Sequence, residues 1–497
     1  MKKLFYISLI ALVFGVSSCA DDVLDLSPSY KLNEKNGITD KVKARAAVNG
    51  IYTTVVSGNN YSGGINATFI SKSGFGKWIT ADYEMEYTQS NITTTSIKYK
   101  WIGYYETINA ANFAITGISS LSESQIDEAE KNSLLGEAKV LRAFANAYIL
   151  WVYGHWWAAD DADPNGILFR DDLVTVANLR QPRLTVGESY EKIYEDLDFA
   201  IEHLNSFTDN RFVSKEFAKV FKAKVMLYRA GFNDGIAGLD EALSLVNEVL
   251  NASVSGFSMQ GDLAQVYQDS WDSEENLFSG YLEETNRANN ASSYYNYTIP
   301  YRYSTRLPVA EGTIPSAGLT KGIEWFQTDP RWPIVTGESR SAITWDTNQY
   351  YCFTKVTRLG KVAGLEQGDN KYNTYFFRYP ELYIMKAELL ARTGASISEA
   401  IAPINIMRSK RTNPILPSLN PTTQQELTDA IFKEYFLETF LENGSEYFAS
   451  TRFKDSAGQL WIENLREAPI VLNSLCYPIP LEEINVNNEI VQNTDLE

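Results

Sequence analysis

The sequence predicts a mainly α-helical protein: a scaffold of paired helices carrying long irregular loops and a few short β-hairpins. Three observations lead there. Apolar residues recur at helical spacing through much of the chain, two distant segments repeat one helix–turn–helix pattern, and two long stretches rich in Gly, Asn, Ser, Thr and Tyr lack that period.

The 497 residues, 44% of them hydrophobic, suffice for a large core. The chain opens MKKLFYISLIALVFGVSSCADD: Lys2 and Lys3 give a positive start, Leu4 to Val16 an apolar run too short to span a bilayer, and small residues lead to Cys19. This is the pattern of an export signal. Val16-Ser17-Ser18-Cys19 resembles a bacterial lipobox, in which the signal is cut before a cysteine that is then lipidated; the other reading is a plain secretory signal with Cys19 incidental. Each buried methylene of such an anchor would contribute ~0.8 kcal/mol. The expected division is a signal peptide over 1–18, a lipidated tether over 19–40 and a single domain over 41–497, its N-terminal part ending near 251.

Helical spacing places helices at about 42–56 and 100–118. In LLGEAKVLRAFANAYILWVYG, Leu134, Ala138, Leu141, Ala145 and Tyr148 share one face and Gly154 stops the helix. In TVGESYEKIYEDLDFAIEHL, Thr185 and Glu188 form a capping box, followed by Val186, Tyr190, Ile193, Leu197, Ile201 and Leu204 at threes and fours. Further helices are expected at 214–230, 239–251, 380–393, 397–410 and 425–442. MLYRAG with LDEALSLVNEVL (226–250) and LLARTG with SEAIAPINIMR (389–408) repeat helix, Arg-x-Gly turn, Glu-Ala, helix, the pattern of tetratricopeptide-like hairpins that bury their apolar faces by stacking. Residues 57–99 and 252–377 read as long loops, and loops of that length in a folded domain usually carry function.

Charge and motifs exclude several chemistries. With 62 acidic against 44 basic residues, a formal charge of −18 repels nucleic acid and anionic lipid surfaces. His155 and His203 fit no zinc or triad pattern, GFGKW at 74–78 lacks the first glycine and the Ser/Thr of a phosphate loop, and no G-x-S-x-G elbow occurs. No catalytic residue, metal or cofactor is expected. Carboxylate pairs for glycoside hydrolysis remain possible in any acidic chain, because their separation is spatial. In DADPNGILFRDD, Asp161, Asp163, Asn165, Gly166 and Asp172 have the spacing of a calcium loop; Asp in the twelfth place and the non-helical LVTVANLRQP favour an acidic turn instead. Cys352 and Cys476 are the other cysteines and could pair in an oxidising compartment, with no disulfide framework.

Larger signatures carry a family resemblance. The helix LRAFANAYILWVYG, the start Arg378-Tyr379-Pro380-Glu381-Leu382 with Lys386-Ala387-Glu388, the stretch INIMRSKRTN, and the ending Pro478-Ile479-Pro480, Glu483-Ile484, Asn487, Ile490, Gln492-Asn493 resemble the SusD/RagB family in order and spacing. Relatives often have Glu-Arg and then Glu-Gly-x-Arg; here Glu434-Tyr435 and Glu442-Asn443-Gly444-Ser445-Glu446 stand instead, which should alter local ion pairing. The resemblance implies a SusD-like fold, no catalysis, and a lipoprotein on the outer face of the outer membrane. It implies capture of an oligosaccharide, or in some branches a peptide, for a SusC-like TonB-dependent transporter barrel. Asp21-Asp22 after Cys19 also resembles the export tag of Bacteroidetes surface lipoproteins.

SSYYNYTIPYRYSTR at 292–306 sets Tyr294, Tyr295, Tyr297, Tyr301 and Tyr303 among Asn296, Arg302 and other polar residues. Sugar C–H faces pack on such rings while hydroxyls need polar partners, so this stretch, with Trp78, Tyr83, Tyr87 and Trp345, supplies the candidate ligand contacts. The alternative is that these rings pin loops to the helical core. Other functions consistent with the sequence are a surface glycoside hydrolase and a scaffold that binds only proteins.

Overall fold

The computed structural model of the chain describes residues 37–57, 76, 78, 95–233, 237–252, 254–280, 321–340, 349–353, 355 and 374–493. The signal, the tether up to residue 36, and the stretches holding Tyr83, Tyr87, residues 292–306 and Trp345 lie outside the described residues.

The N-terminal half is a helical stack. Helix α1 (Lys41–Ser57) packs on α2 (Thr95–Ser119), α2 on α3 (Glu128–Tyr153), and α3 on α4 (Val186–His203). From Leu134 to Tyr153, α3 buries every side chain except Lys139. A helix apolar nearly all round belongs at the centre of a fold. Its first turn is fixed by Asp127, which accepts from Glu130 N. Helix α4 has the capping box read from the sequence: Thr185 Oγ1 accepts from Glu188 N, and the Glu188 carboxylate accepts from Thr185 N.

The two repeated segments are helical hairpins. Helix α5 (Lys215–Phe232) pairs with α6 (Leu239–Asn251). After α7 (Leu263–Asp269), strand β1 (Asn276–Gly280), α8 (Lys321–Thr328), α9 (Trp332–Val335) and strands β2 (Thr336–Arg340), β3 (Gln349–Phe353) and β4 (Thr374–Arg378), helix α10 (Tyr379–Arg392) pairs with α11 (Ile397–Lys410). Helix α6 packs on α10, so the hairpins stack as the tetratricopeptide-like pattern requires. The hairpins bend differently, however. Gly231 lies inside α5 and the left-handed residue is Gly238 (φ 122°), whereas Gly394 (φ 88°) turns the second pair.

Short elements interrupt the region expected to be loop over 252–377: helices α7, α8 and α9 are too brief for periodicity to reveal. The β2–β3 ladder is a hairpin, with Thr336 opposite Phe353 and Arg340 opposite Gln349. The β1–β4 ladder is not; it sets Asn276 opposite Arg378 and Gly280 opposite Thr374, closing the base of the whole 281–373 excursion.

Helix α12 (Gln424–Thr439) stops three residues before its expected end, because Leu441 takes a left-handed φ of 62°. Helices α13 (Ser445–Arg452), α14 (Trp461–Arg466) and α15 (Leu481–Val486) follow. The C-terminal signature docks the tail on the end of α3: Asn493 Nδ2 donates to Tyr153 O and Tyr477 O, and Tyr477 N donates to Val152 O. Asn487 exchanges two hydrogen bonds with the Gln181 backbone, and Gln492 does the same with Ile479. Buried residues from Ile38 to Ile490 form one hydrophobic cluster through both halves.

Candidate functional site

Helix α12 presents Glu434 and Glu438 at i and i+4, and Glu442 follows just past its end. Like charges at that spacing repel unless cations neutralise them. Here Glu438 accepts from Arg411 Nη2 (2.6 Å), Arg331 Nη1 (2.9 Å) and Arg378 (3.3 Å). Glu434 binds Arg331 (2.8 Å) and Arg408 (2.6 Å), and Glu442 binds Arg378 (2.7 Å) and Lys355 (2.9 Å). Glu275, just before β1, bridges Arg378 and Arg411, while Asp329 holds Arg331. Five cations thus meet five carboxylates, and none of the ten side chains is more than 9% exposed.

Burial alone would raise the Glu438 carboxyl, but the Arg411, Arg378, Arg331 and Lys355 charges outweigh it and hold it well below the usual carboxylate range. Burial pulls the Lys355 ammonium below its ordinary value despite Glu442. Breaking such a buried set from one side leaves an uncompensated charge in low dielectric.

This cluster sits where the long excursions begin and end. Lys355 follows β3, Arg378 ends β4, Glu275 precedes β1, and Arg331 leads into α9. Rings reinforce the same place. Phe326 of α8 lies 5.6 Å from Phe436 and 5.2 Å from Phe440, and Trp78, from the 58–94 excursion, lies edge-on to Phe436 at 5.0 Å. The elements that flank 281–320 and 341–373 therefore meet around the last turn of α12 and the neighbouring charge cluster, and Trp78, from within 58–94, is buried at the same place.

Trp78 corrects the expectation placed on it. Its ring is fully buried against Phe436 and Phe440, so it anchors an excursion rather than offering a face to ligand. Gly76 lies against the indole so closely that a Cβ there would stand 2.6 Å from Cε2, which gives the glycine of GFGKW a packing reason. Tyr83, Tyr87, Tyr294, Tyr295, Asn296, Tyr297, Tyr301, Arg302, Tyr303 and Trp345 lie outside the described residues.

The calcium-like spacing resolves into a turn. Asp163 accepts from Asn165 N (2.8 Å) and faces His155 Nδ1 (3.0 Å), while the Asp161 carboxylate pairs with Arg229. Asp172 caps Leu173 N, so these carboxylates serve separate partners, and no group of metal-ligating side chains gathers among the described residues. Cys476 is a buried thiol that donates to Asn473 O (3.5 Å); the side chain of Cys352, with which it could pair, lies outside the described residues.

The family signatures are frame-building residues. Arg378 enters the charge cluster; Glu381 binds Lys224 (2.8 Å), Asn443 and Ser445; Glu388 binds Arg392 (2.8 Å) and Arg452 (2.7 Å). Where relatives often carry arginine, Tyr435 lies 5.2 Å under the Arg452 guanidinium, so a ring takes part in the local charge pattern. The motif and the cluster were each partly legible, but sequence reasoning did not join Glu275, Asp329, Arg331 and Lys355 to them.

Comparison with known proteins agrees with this architecture. Residues 233–495 match the family described as the SusD family, and residues 22–227 match a second family described as starch-binding and associating with the outer membrane. A SusD-like protein of Bacteroides ovatus is 25% identical over 241 residues, 47% of this chain and 40% of that protein's length. SusD-like protein P2 of Formosa agariphila is 23% identical over 473 residues, 89% of each chain. Among solved structures, a SusD superfamily protein of Bacteroides thetaiotaomicron superposes with a TM-score of 0.68 at 20% identity, covering 92% of this chain and 100% of that one. A laminarin-binding SusD-like protein gives 0.64 at 18% identity, covering 92% and 99%. At these identities the superpositions speak for the mainly helical, paired-helix fold. With one family match spanning more than half of its length, the chain belongs to the SusD family.

Proposed function

We propose that the chain is a non-enzymatic, lipid-anchored protein of the outer cell surface that captures an oligosaccharide and delivers it to a SusC-like TonB-dependent outer-membrane transporter. The observation that carries this reading is the charge-locked frame on which the elements flanking the tyrosine-bearing 281–320 and 341–373 meet, with Trp78 buried beside them. Family membership supports surface association, and the laminarin-binding relative supports a neutral glycan as ligand class. No helix among the described residues is long and apolar enough to cross a membrane, which leaves attachment to the lipidated Cys19 in this reading. An acidic chain also suits neutral glycans better than polyanions.

Calorimetric titration of the chain from Ala20 onward, against neutral oligosaccharides, acidic oligosaccharides and mixed peptides, tests the proposal. Saturable heat with a neutral oligosaccharide, weakened when Tyr294, Tyr297 and Tyr301 become Ala, is expected. Binding that ignores those changes would return the tyrosines to loop packing. Peptides binding alone would replace the ligand class, and turnover of any bound glycan would overturn the non-enzymatic assignment.

A further inference from the structure

A cleft of about 620 Å³ opens between α5, α6, α10, the first turn of α12 and the end of α13. Along α12, at 1.5 Å per residue, it lies roughly 20 Å from the end where the excursions are rooted. It falls in the size range of small-molecule pockets, about 300–1,000 Å³.

Its charge runs against that of the chain. Among the described residues, Arg392, Arg452 and Lys454 line it with Glu388 as the one lining carboxylate, on a protein whose formal charge is −18. Glu388 is already shared: Arg452 Nε and Nη2 hold its two oxygens at 2.8 and 2.7 Å, and Arg392 Nε holds Oε1 at 2.8 Å. The Arg452 side chain is fully buried, fixed against the Tyr228 ring at 4.9 Å, and its Nη1 donates to no atom of the described residues. The terminal nitrogens of Arg392 and the Lys454 ammonium have no hydrogen-bond or ion-pair partner among the described residues. Gln424 and Gln425, whose N–H groups open α12, stand at the same cleft, at a helix end where the Glu426 carboxylate is turned back onto Thr422 N and Thr423 N. Phe232, Leu239 and Phe453 complete the lining with apolar surface.

We propose that this cleft is a second ligand site, taking an oxyanion group, a carboxylate or sulfate, borne on a compact body of about one or two sugar rings. Arg392, Lys454 and the α12 N-terminus meet the anion, buried Arg452 stands behind them, and the apolar residues take a ring face. The site is independent of the tyrosine-bearing excursions and does not require the proposed function.

The full-length chain titrated with glucuronate, glucose, glucose 6-sulfate and inorganic sulfate, followed by ligand-observed NMR, decides it. Glucuronate and glucose 6-sulfate should bind saturably and glucose should not; Arg392→Gln should weaken binding about tenfold and Lys454→Gln about fivefold, in line with losing one charge-assisted contact each. Lys454 is exposed, so its variant tests the site without risk to folding. Absence of saturable anion binding, equal binding of glucose, or affinities unchanged in both variants would overturn the proposal. Inorganic sulfate binding as tightly as the charged sugars would overturn the sugar-borne part.

Discussion

Replacing Glu438 by Gln is the sharpest test of the charge-locked frame. The change keeps side-chain size but removes a carboxylate that three guanidiniums share, at 2.6, 2.9 and 3.3 Å, and leaves the ten-residue cluster with one unbalanced positive charge. A glutamine NH₂ would also face donors where the carboxylate accepted. Breaking a buried ionic set from one side costs about 3–5 kcal/mol. Against a typical domain stability of about 5–15 kcal/mol, that is about a fifth or more of the total. Urea unfolding followed by tryptophan fluorescence would show a large fall in midpoint. Glu482→Gln is the control, since its pair with Lys98 is 2.7 Å long but half-exposed, and should cost under about 1 kcal/mol. The reasoning fails if Glu438→Gln unfolds within about 1 kcal/mol of the native chain, or if the two variants lose equally.

Two further outcomes are expected. Burial opposes ionisation of Glu388, yet Arg452 and Arg392 lower its pKa from 4.5 to about 2, so its contribution is complete above pH 4.5 and is lost as pH falls toward 2. That window corresponds to about 3 kcal/mol, so the native chain should lose stability more steeply than Glu388→Gln between pH 4.5 and 2; parallel acid profiles would contradict the assignment. Trp78→Ala should destabilise by about 3–5 kcal/mol in thermal or urea unfolding, as a buried indole does, whereas a loss below about 0.5 kcal/mol would return Trp78 to the surface.

The long helices were legible because their cores are periodic: Val186, Tyr190, Ile193 and Leu197 are all buried on α4, behind a capping box that formed as read. Helix α13 was not legible. Its eight residues, SEYFASTR, are all buried, polar ones included: Glu446 accepts from Leu441 N just before the helix and Arg452 pairs with the distant Glu388, so no apolar stripe is needed. The same reason hid the charge cluster. Glu434, Glu438 and Glu442 show a four-residue spacing that asks for cations, but nothing local says that Arg331 and Lys355 supply them. Trp78 misled because nothing in its local sequence names its partners; Phe436 and Phe440 lie more than three hundred residues away.

The cluster also constrains how the chain can reach its native state. Its members are scattered from Glu275 to Glu442 over strands, helices and connections, so no short fragment contains the whole set. A partial assembly would bury bare charge, at several kcal/mol per ion, and water would re-enter. Closure of the C-terminal half is therefore an all-or-none event of high contact order, expected late in folding, after the local hairpins have formed. Misregistered arrangements of β4 or α12 would strand Arg378 or Glu438 without partners, so the same ten residues act as a proofreading step for the topology that the excursions depend on.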